Sequence, residues 1–492
     1  MQTPCPAPFN LADYVLTAGR ATPEKIALVV MGLSRSERWS YARLEAAVLG
    51  MAGALSARVK PGGRILLRLG NTPDFPVAFL GAVAAGLVPM PSSSSLTGPE
   101  ITRLANLTDP DLILAAPGID LPDHPAPVEG DLATLAAHSP GKMQMGDPNR
   151  LAYIVFTSGS SGEPRAVAHA HRAIWARRMM WRGWYGLRPE DRLCHSGAFN
   201  WTYTLGTGLF DPWAAGATAL IAHDRVEPAQ LPLLLRRHDA SIFASVPGIY
   251  RKVLKAPLPA LPRLRHGLSA GERLAPTLRT AWQDATGTDI HEALGMSEIS
   301  TFISGAPSRP APDGSTGYAQ AGRRIAILDD HGAELPPGTP GILAVHRDDP
   351  GLMLGYLDGA TPYLPLTGEW FLTGDQVSLG MDGAAQYQAR RDELLTAGGF
   401  RVAPAEIEAA FADAPGLSDC AACEIDISDD VRIIALAHEG SAQEDDLTPL
   451  AAARLARYKQ PKVFVRLSAL PRGSNGKLNR KSLARLIKES MP

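Results

Sequence analysis

A buried-strand pattern that leads into a loop of glycine and small hydroxyl residues is the feature that most constrains this chain. Residues Leu151–Phe156 form an apolar run of strand length. The residues that follow are Thr157, Ser158, Gly159, Ser160, Ser161 and Gly162, with Arg165 just beyond. Such a loop exposes backbone N–H groups and hydroxyl donors with little steric bulk, which suits the oxygens of a phosphate chain. The spacing of a Walker A loop is absent, so the sequence predicts a phosphate loop of another type.

Length and composition indicate an ordinary globular protein of more than one domain. The 492 residues exceed what one hydrophobic core usually organises. Hydrophobic residues make up 45% of the chain and charged residues 20%. The net charge of −2 gives no reason to expect nucleic acid or an anionic membrane as a partner. Four cysteines are too few for a disulfide scaffold, which favours a reducing, cytoplasmic location.

Neither a signal peptide nor a membrane span is predicted. The N-terminal residues lack a basic segment followed by an apolar one. The longest apolar run, Pro76–Met90, is too short to cross a bilayer and is interpreted as a buried helix.

Strand-like and helix-like patterns alternate through the first two thirds of the chain. The residues Arg64–Leu69 predict a strand and Pro76–Gly86 a helix, and Ala217–Ile221 and Pro228–His238 repeat this order. The alternation predicts an α/β architecture with parallel or mixed sheets. From Gly317 to Leu357 the pattern changes to short strands with Gly/Pro turns, which predicts a barrel-like or antiparallel β subdomain.

The last hundred residues predict a small separate α+β domain. A helix is expected over Ala403–Phe411, strands over Cys420–Ile427 and Val431–His438, and a helix over Leu447–Arg457. We therefore expect residues 1–390 to form a large N-terminal domain and residues 391–492 a small mobile one. Cys420 and Cys423 have the spacing of a redox or zinc pair, but no second pair or nearby histidine completes such a site, so a structural role is favoured.

Six further motifs follow the loop in order, and together they carry a family resemblance. They are the aromatic segment Phe199–Leu205, Ser269-Ala270-Gly271-Glu272, Leu294-Gly295-Met296-Ser297-Glu298, Trp370–Asp375 with Gly374-Asp375, the segment Tyr387–Val402, and Pro471–Lys477. This set resembles the acyl-adenylate-forming superfamily, which includes acyl-CoA synthetases, adenylation domains and luciferases. Any one motif could arise by chance, whereas six in the family's order make the resemblance specific. It extends over nearly the whole chain.

The resemblance implies an enzyme that uses ATP, Mg²⁺ and coenzyme A. The implied catalytic residues are Lys477, Glu298 and Ser297, and Glu298 is also the implied metal ligand. The implied ATP and AMP contacts are Thr157, Ser158, Gly159, Ser160, Ser161, Gly162, Arg165, Gly271, Glu272, Arg273, Leu294, Gly295, Asp375, Tyr387 and Arg390. The implied hinge is Asp392, and the implied coenzyme A contacts are Gly398, Gly399 and Phe400. Asp375 offers two acceptor oxygens for the two ribose hydroxyls.

Three positions depart from the family pattern. Arg165 stands where a lysine is usual, Leu294 where an aromatic residue stacks on adenine, and Ala389 where glycine is usual. These changes bear on ATP affinity and loop mobility rather than on the reaction class. His169 and His171 flank the loop, and their spacing favours structural roles over metal binding.

The aromatic segment and its neighbours indicate which class of acyl group the enzyme would accept. The expected pocket residues are Trp201, Tyr203, Leu205, Ala270 and Ile299. Amino-acid-activating relatives place an aspartate within this segment, and Ala198–Phe210 contains no acidic residue. The segment looks closest to benzoate- and medium-chain-type acyl-CoA synthetases, so we expect an aryl or short- to medium-chain carboxylate.

The leading interpretation is therefore an acid–thiol ligase that makes an acyl-CoA through an acyl-AMP. A stand-alone enzyme that loads a carrier protein, a luciferase-like oxidoreductase and a degenerate nucleotide-binding regulator are the alternatives. The expected partners are small molecules, namely the carboxylate, ATP and coenzyme A, with no nucleic acid and no membrane. The sequence is compatible with a homodimer and does not establish one.

Overall fold

The structure is a computed structural model that describes residues 3–158, 164–359, 361–390, 395–397, 400–428, 431–455, 457–473 and 478–490. Its α-helices are α1 (Leu11–Thr17), α2 (Tyr41–Ser56), α3 (Asp74–Ala84), α4 (Gly98–Thr108), α5 (Leu132–Ala136), α6 (Arg172–Ala176), α7 (Arg178–Met180), α8 (Asp211–Ala214), α9 (Leu231–Arg237), α10 (Pro247–Val253), α11 (Pro276–Thr286), α12 (Pro404–Ala410), α13 (Glu444–Arg454) and α14 (Arg480–Ser490). Two described segments are π-helical: Trp181–Tyr185, directly after α7, and Thr204–Phe210, directly before α8.

The largest sheet has thirteen strands and carries most of the candidate site. Its strands are β1 (Ile26–Met31), β2 (Glu37–Ser40), β9 (Arg192–His195), β10 (Thr218–Ala222), β11 (Ile242–Ser245), β12 (His266–Ala270), β13 (Ile290–Met296), β14 (Ser300–Ser304), β15 (Gly317–Ala319), β16 (Ile325–Leu328), β17 (Gly341–His346), β20 (Trp370–Leu379) and β21 (Ala384–Arg390). The centre, from β1 through β10, β9, β11 and β12 to β13, is parallel. From β13 onward the pairing is antiparallel, and these later strands extend the same sheet through the β15–β21 contact.

Four smaller sheets complete the fold of the residues that the structure describes. One is parallel, with β3 (Arg64–Arg68), β4 (Val88–Pro91), β5 (Leu112–Ala115) and β6 (Val128–Glu129). One is antiparallel, with β7 (Leu151–Ser158), β8 (Pro164–Ala170), β18 (Gly355–Asp358) and β19 (Thr361–Tyr363). The last two hold β22 (Leu395–Ala397) with β23 (Phe400–Val402), and β24 (Leu417–Ser428) with β25 (Val431–Gly440) and β26 (Val463–Arg466). The predicted α/β architecture is confirmed.

Local sequence explains where individual elements begin and end. Helix α4 starts at a capping box, in which the Thr97 N–H donates to the Glu100 carboxylate at 2.8 Å. The apolar run predicted as one buried helix divides into helix α3 and strand β4, because Gly86 turns the chain between them at a φ of +75°. Every residue of α3 from Phe75 to Ala84 is buried, which explains why this run is apolar on all sides.

The C-terminal hundred residues pack around cores of their own. Strand β24 places Cys420 against one apolar cluster and Cys423 against another, on the two faces of its sheet. Both are free thiols, and burial raises the pKa of Cys423 to about 12. A structural role for the pair agrees with this placement. None of the helices within the described ranges is long and apolar enough to span a bilayer.

Burial in α3 predicts a large difference between two matched leucine substitutions. Leu80 is fully buried, whereas Leu233 of α9 is 59% exposed. Leu80→Ala should lower the free energy of unfolding by about 3 kcal/mol through lost burial and a residual cavity. Leu233→Ala should change it by less than about 0.5 kcal/mol. Urea unfolding followed by tryptophan fluorescence measures both, and equal losses would contradict this packing.

Candidate active site

The phosphate loop is framed by the β7–β8 hairpin. Thr157 of β7 pairs with Arg165 of β8, so the first residue of the predicted loop lies opposite the predicted cation. Ser158 ends β7. The predicted contacts Gly159, Ser160, Ser161 and Gly162 lie outside the described residues.

Glu298, the predicted metal ligand, is held by a tyrosine that the sequence did not single out. It is 8% exposed, and its Oε1 accepts a hydrogen bond from the Tyr356 hydroxyl at 2.8 Å. Tyr356 lies on β18 and pairs with Val167 of β8, which brings it beside the phosphate hairpin. Burial, reinforced by the charge of Glu298, raises the pKa of the Tyr356 phenol well above its usual value, so this group stays a donor.

The same tyrosine also contacts the predicted phosphate-loop cation. The guanidinium carbon of Arg165 lies 5.1 Å from the centroid of the Tyr356 ring, within cation–π range. Arg165 itself is exposed. The three side chains therefore form a continuous series, with a positive charge at the outer end and the Glu298 carboxylate at the inner end.

Ser297 is fixed through its main chain by one of the two flanking histidines. His169 Nε2 lies 2.8 Å from the Ser297 carbonyl oxygen, and its ring stacks on Tyr153 at a centroid distance of 4.8 Å. Burial lowers the pKa of His169 to about 4, so the ring is neutral at pH 7. His171 Nδ1 accepts the Leu11 N–H at 3.1 Å. Both histidines thus make the kind of structural contact that their spacing favours.

The predicted ribose-binding pair lies on adjacent antiparallel strands. Asp375 of β20 is directly opposite Arg390 of β21, and Asp375 Oδ1 lies 3.6 Å from Arg390 Nη1. Asp375 is buried, and the preceding Gly374 adopts a φ of +78°, which a side chain would strain. Tyr387, on the same strand as Arg390, is half-buried.

The two segments that contain the implied AMP contacts Gly271–Arg273 and Leu294-Gly295 meet at the ends of β12 and β13. Ala270 of β12 pairs with Ala293 of β13, next to Leu294 and Gly295. Beyond Ala270 the chain turns at Gly271, at a φ of +96°. Arg273 is exposed.

Glu272 binds the C-terminal part of the chain, a contact that the sequence did not predict. Its Oε1 accepts from Arg472 at 2.7 Å and from the Leu478 N–H at 3.1 Å. Arg472 also contacts Asp419 at 3.0 Å, and Arg251 lies 3.4 Å from Asp419. We call Arg251, Glu272, Asp419 and Arg472 the junction cluster. Arg472 and Leu478 flank the segment that includes Lys477, which lies outside the described residues.

The five residues expected to line the acyl pocket have different surroundings. The Tyr203 hydroxyl donates to the Leu268 carbonyl at 3.2 Å, and its ring contacts the rings of both Trp184 and His195. Ala270 and Ile299 are buried in two different apolar clusters, and Trp201 is half-buried. Leu205 lines a cavity that also borders Ser297.

The remaining predictions concern the hinge and the coenzyme A contacts. Asp392, Gly398 and Gly399 lie outside the described residues. Phe400 begins β23. The hinge and coenzyme A assignments therefore stay predictions.

Comparison with known proteins identifies the family. The model of the AMP-binding enzyme family matches residues 16–357. This chain belongs to that family. It is 27% identical to the 3-hydroxybenzoate–CoA ligase of Aromatoleum sp. (strain CIB), over 98% of this chain and 97% of that protein. The predicted superfamily is thus confirmed.

Two solved structures share the fold along nearly the whole chain. ATP-bound MatB from Rhodopseudomonas palustris gives a TM-score of 0.88 at 23% identity and covers 98% of this chain and 100% of its own. A benzoate CoA ligase from Burkholderia xenovorans LB400 gives a TM-score of 0.85 at 25% identity and covers 97% and 100%.

Removal of the Tyr356–Glu298 hydrogen bond is expected to lower the catalytic efficiency of the enzyme with ATP. Tyr356→Phe should lower kcat/KM for ATP roughly ten- to a hundredfold, because a hydrogen bond to a charged group contributes about 1.5–3 kcal/mol. Tyr363→Phe, at a side chain that is 66% exposed, is the matched control and should leave kcat/KM unaltered. Steady-state assays at varied ATP measure both. A Tyr356→Phe enzyme with unchanged kcat/KM would refute the role of this bond.

Proposed function

We propose that this protein is an ATP- and Mg²⁺-dependent acid–thiol ligase. It would join an aryl or short- to medium-chain carboxylate to coenzyme A through an acyl-AMP, with release of pyrophosphate and AMP. The observation that carries the ligase assignment is full-length similarity to an enzyme named as a CoA ligase. Support for the adenylation chemistry comes from the side chains that surround Glu298 and Asp375.

The first half-reaction brings two anions together. A carboxylate oxygen attacks the α-phosphorus of ATP, the new P–O bond forms, and pyrophosphate leaves. Charge must be neutralised before the reactants can be positioned. Arg165 supplies a cation at the phosphate loop, and Asp375 supplies acceptor oxygens for the ribose hydroxyls. In the second half-reaction the thiol of coenzyme A attacks the acyl carbonyl carbon, and AMP leaves.

Glu298 fits the role of a magnesium ligand. Its carboxylate is oriented by Tyr356, and Mg²⁺ in proteins commonly takes one or two carboxylates together with phosphate oxygens. When bound, the ion would offset the negative charge that develops on the phosphates.

Lys477 is proposed as the cation that bridges the acyl carboxylate and the α-phosphate. Support comes from Glu272, which binds both Arg472 and Leu478 on either side of that segment. The junction cluster therefore ties the C-terminal part of the chain to the loop that follows β12. We propose that residues 1–390 and 391–492 are two domains and that Asp392 is the hinge on which the smaller one turns between half-reactions.

The overall reaction is tested by acid-dependent pyrophosphate release with ATP and Mg²⁺, over benzoates, phenylacetates and C2–C10 acids. We expect sustained release only with coenzyme A present, together with AMP and a thioester. A single stoichiometric burst that coenzyme A leaves unchanged would point to carrier-protein loading instead. Absence of release with every acid would favour a nucleotide-binding regulator.

Substitution of the proposed catalytic lysine separates the half-reactions. Lys477→Ala should slow acyl-AMP formation roughly a hundredfold or more while changing thioester formation from supplied acyl-AMP by less than about threefold. Lys462→Ala, at an exposed lysine of the same region, is the matched control. Rapid-quench measurement of each half-reaction tests this. Equal losses in both halves would refute the assigned role.

A further inference from the structure

A small, partly enclosed cavity lies next to Ser297. It has a volume of about 20 Å³, roughly that of one oxygen-sized group. Its lining joins the candidate acyl segment to the residues around Glu298 and comprises Tyr153, His169, Ile174, Arg177, Thr202, Leu205, Gly206, Phe210, Ser297 and Ser300. Thr202, Ser297 and Ser300 are half-buried, whereas Arg177 and Phe210 are buried. The cavity is therefore lined by both half-buried and buried side chains, and it borders Leu205 of the expected acyl pocket.

Arg177 forms a polar wall whose charge is already balanced. Its Nη2 lies 2.7 Å from Asp211 Oδ2 and its Nε 3.1 Å from Asp211 Oδ1. The Tyr185 hydroxyl donates to the same carboxylate at 2.7 Å. Because Asp211 neutralises the guanidinium within the protein, the wall suits a neutral acceptor better than a second carboxylate.

Donors from this wall reach the cavity. Arg177 Nη1 hydrogen-bonds the Ser300 hydroxyl oxygen, which leaves the Ser300 proton free to be donated. Ser300 adopts a φ of +69°, a backbone conformation that a non-glycine residue rarely takes. Gly206 of the second π-helix completes this wall, since a Cβ atom there would collide with the Arg177 guanidinium.

His169, which also lines the cavity, supplies an acceptor. Its Nε2 must carry the proton, because its partner is a carbonyl oxygen, which can only accept. The neutral ring then leaves Nδ1 as a bare acceptor. This atom is buried and has no hydrogen-bond partner among the described residues, and His169 as a whole is 3% exposed. An unpaired buried acceptor is unfavourable unless a ligand or water supplies a donor.

We propose that this cavity is a subsite for a hydroxyl group carried by the acyl substrate. A hydroxyl oxygen accepts from Ser300 and Arg177, and the hydroxyl proton is donated to His169 Nδ1. The inference rests on the proposed ligase function and deepens it by assigning the substrate to the hydroxy acids. A hydrocarbon group in this cavity would leave both sets of polar atoms without partners.

The test compares acids that differ only by a hydroxyl. Benzoate is assayed against its three hydroxy isomers, and hexanoate against its 2- to 6-hydroxy derivatives, by pyrophosphate release with coenzyme A. We expect the best hydroxy acid to exceed its parent at least about tenfold in kcat/KM, and Ser300→Ala to lower that ratio about tenfold. Ser300→Gly should lower the same kcat/KM ratio by a similar factor. Because glycine adopts a positive φ without strain, this variant shows that the loss does not arise from backbone strain at residue 300.

Ser304→Ala is the matched control, because Ser304 lies on the same strand and donates instead to the Gly183 carbonyl. This variant should keep the wild-type ratio. Parent acids that react as well as every hydroxy derivative, or a ratio that both Ser300 variants leave unaltered, would overturn the subsite while the ligase proposal stands. Failure of every acid to release pyrophosphate would overturn the ligase proposal and the subsite with it.

Discussion

A carboxylate that is removed from water needs hydrogen-bond donors to replace its lost hydration, and the buried Glu298 receives one from Tyr356. Its hydrogen bond from Tyr356 exists because β18 pairs with β8, and β8 is the second strand of the phosphate hairpin. Arg165 and Tyr356 are thereby positioned by one antiparallel sheet, and Glu298 meets Tyr356 from the turn between β13 and β14 of the large sheet. A change in that pairing would alter the charge balance where the nucleotide phosphates are proposed to bind.

The large sheet provides the rest of the site from its central and antiparallel strands. Parallel strands bring the ends of β12 and β13 together, as expected for ligand sites at the carboxyl ends of strands. The antiparallel extension places Asp375 opposite Arg390. The junction cluster then links the loop after β12 to the C-terminal region by several ion pairs with modest exposure. Such ion pairs can stabilise one arrangement of the two proposed domains and can be exchanged for other contacts at a small cost in free energy.

Local pattern predicted most of the fold and only part of the candidate site. The alternation around Arg64–Ala84 and the C-terminal strands follow from periodicity, and the structure has them close to where they were expected. Long-range side-chain partners leave no such signal. Tyr356 is 58 residues from Glu298, and Glu272 is 200 residues from Arg472. The two members of the buried Arg177–Asp211 pair are 34 residues apart, and their contact likewise leaves no periodic signal in the sequence.

The proposed reaction passes through an acyl-adenylate between the carboxylate and the thioester. Turnover of a substrate acid labelled with oxygen-18 in its carboxylate tests for this intermediate. Because a carboxylate oxygen bonds to the α-phosphorus and departs with AMP when the thiol attacks, mass spectrometry should find one labelled oxygen in each AMP and none in pyrophosphate. AMP without label, or label in pyrophosphate or inorganic phosphate, would contradict the account.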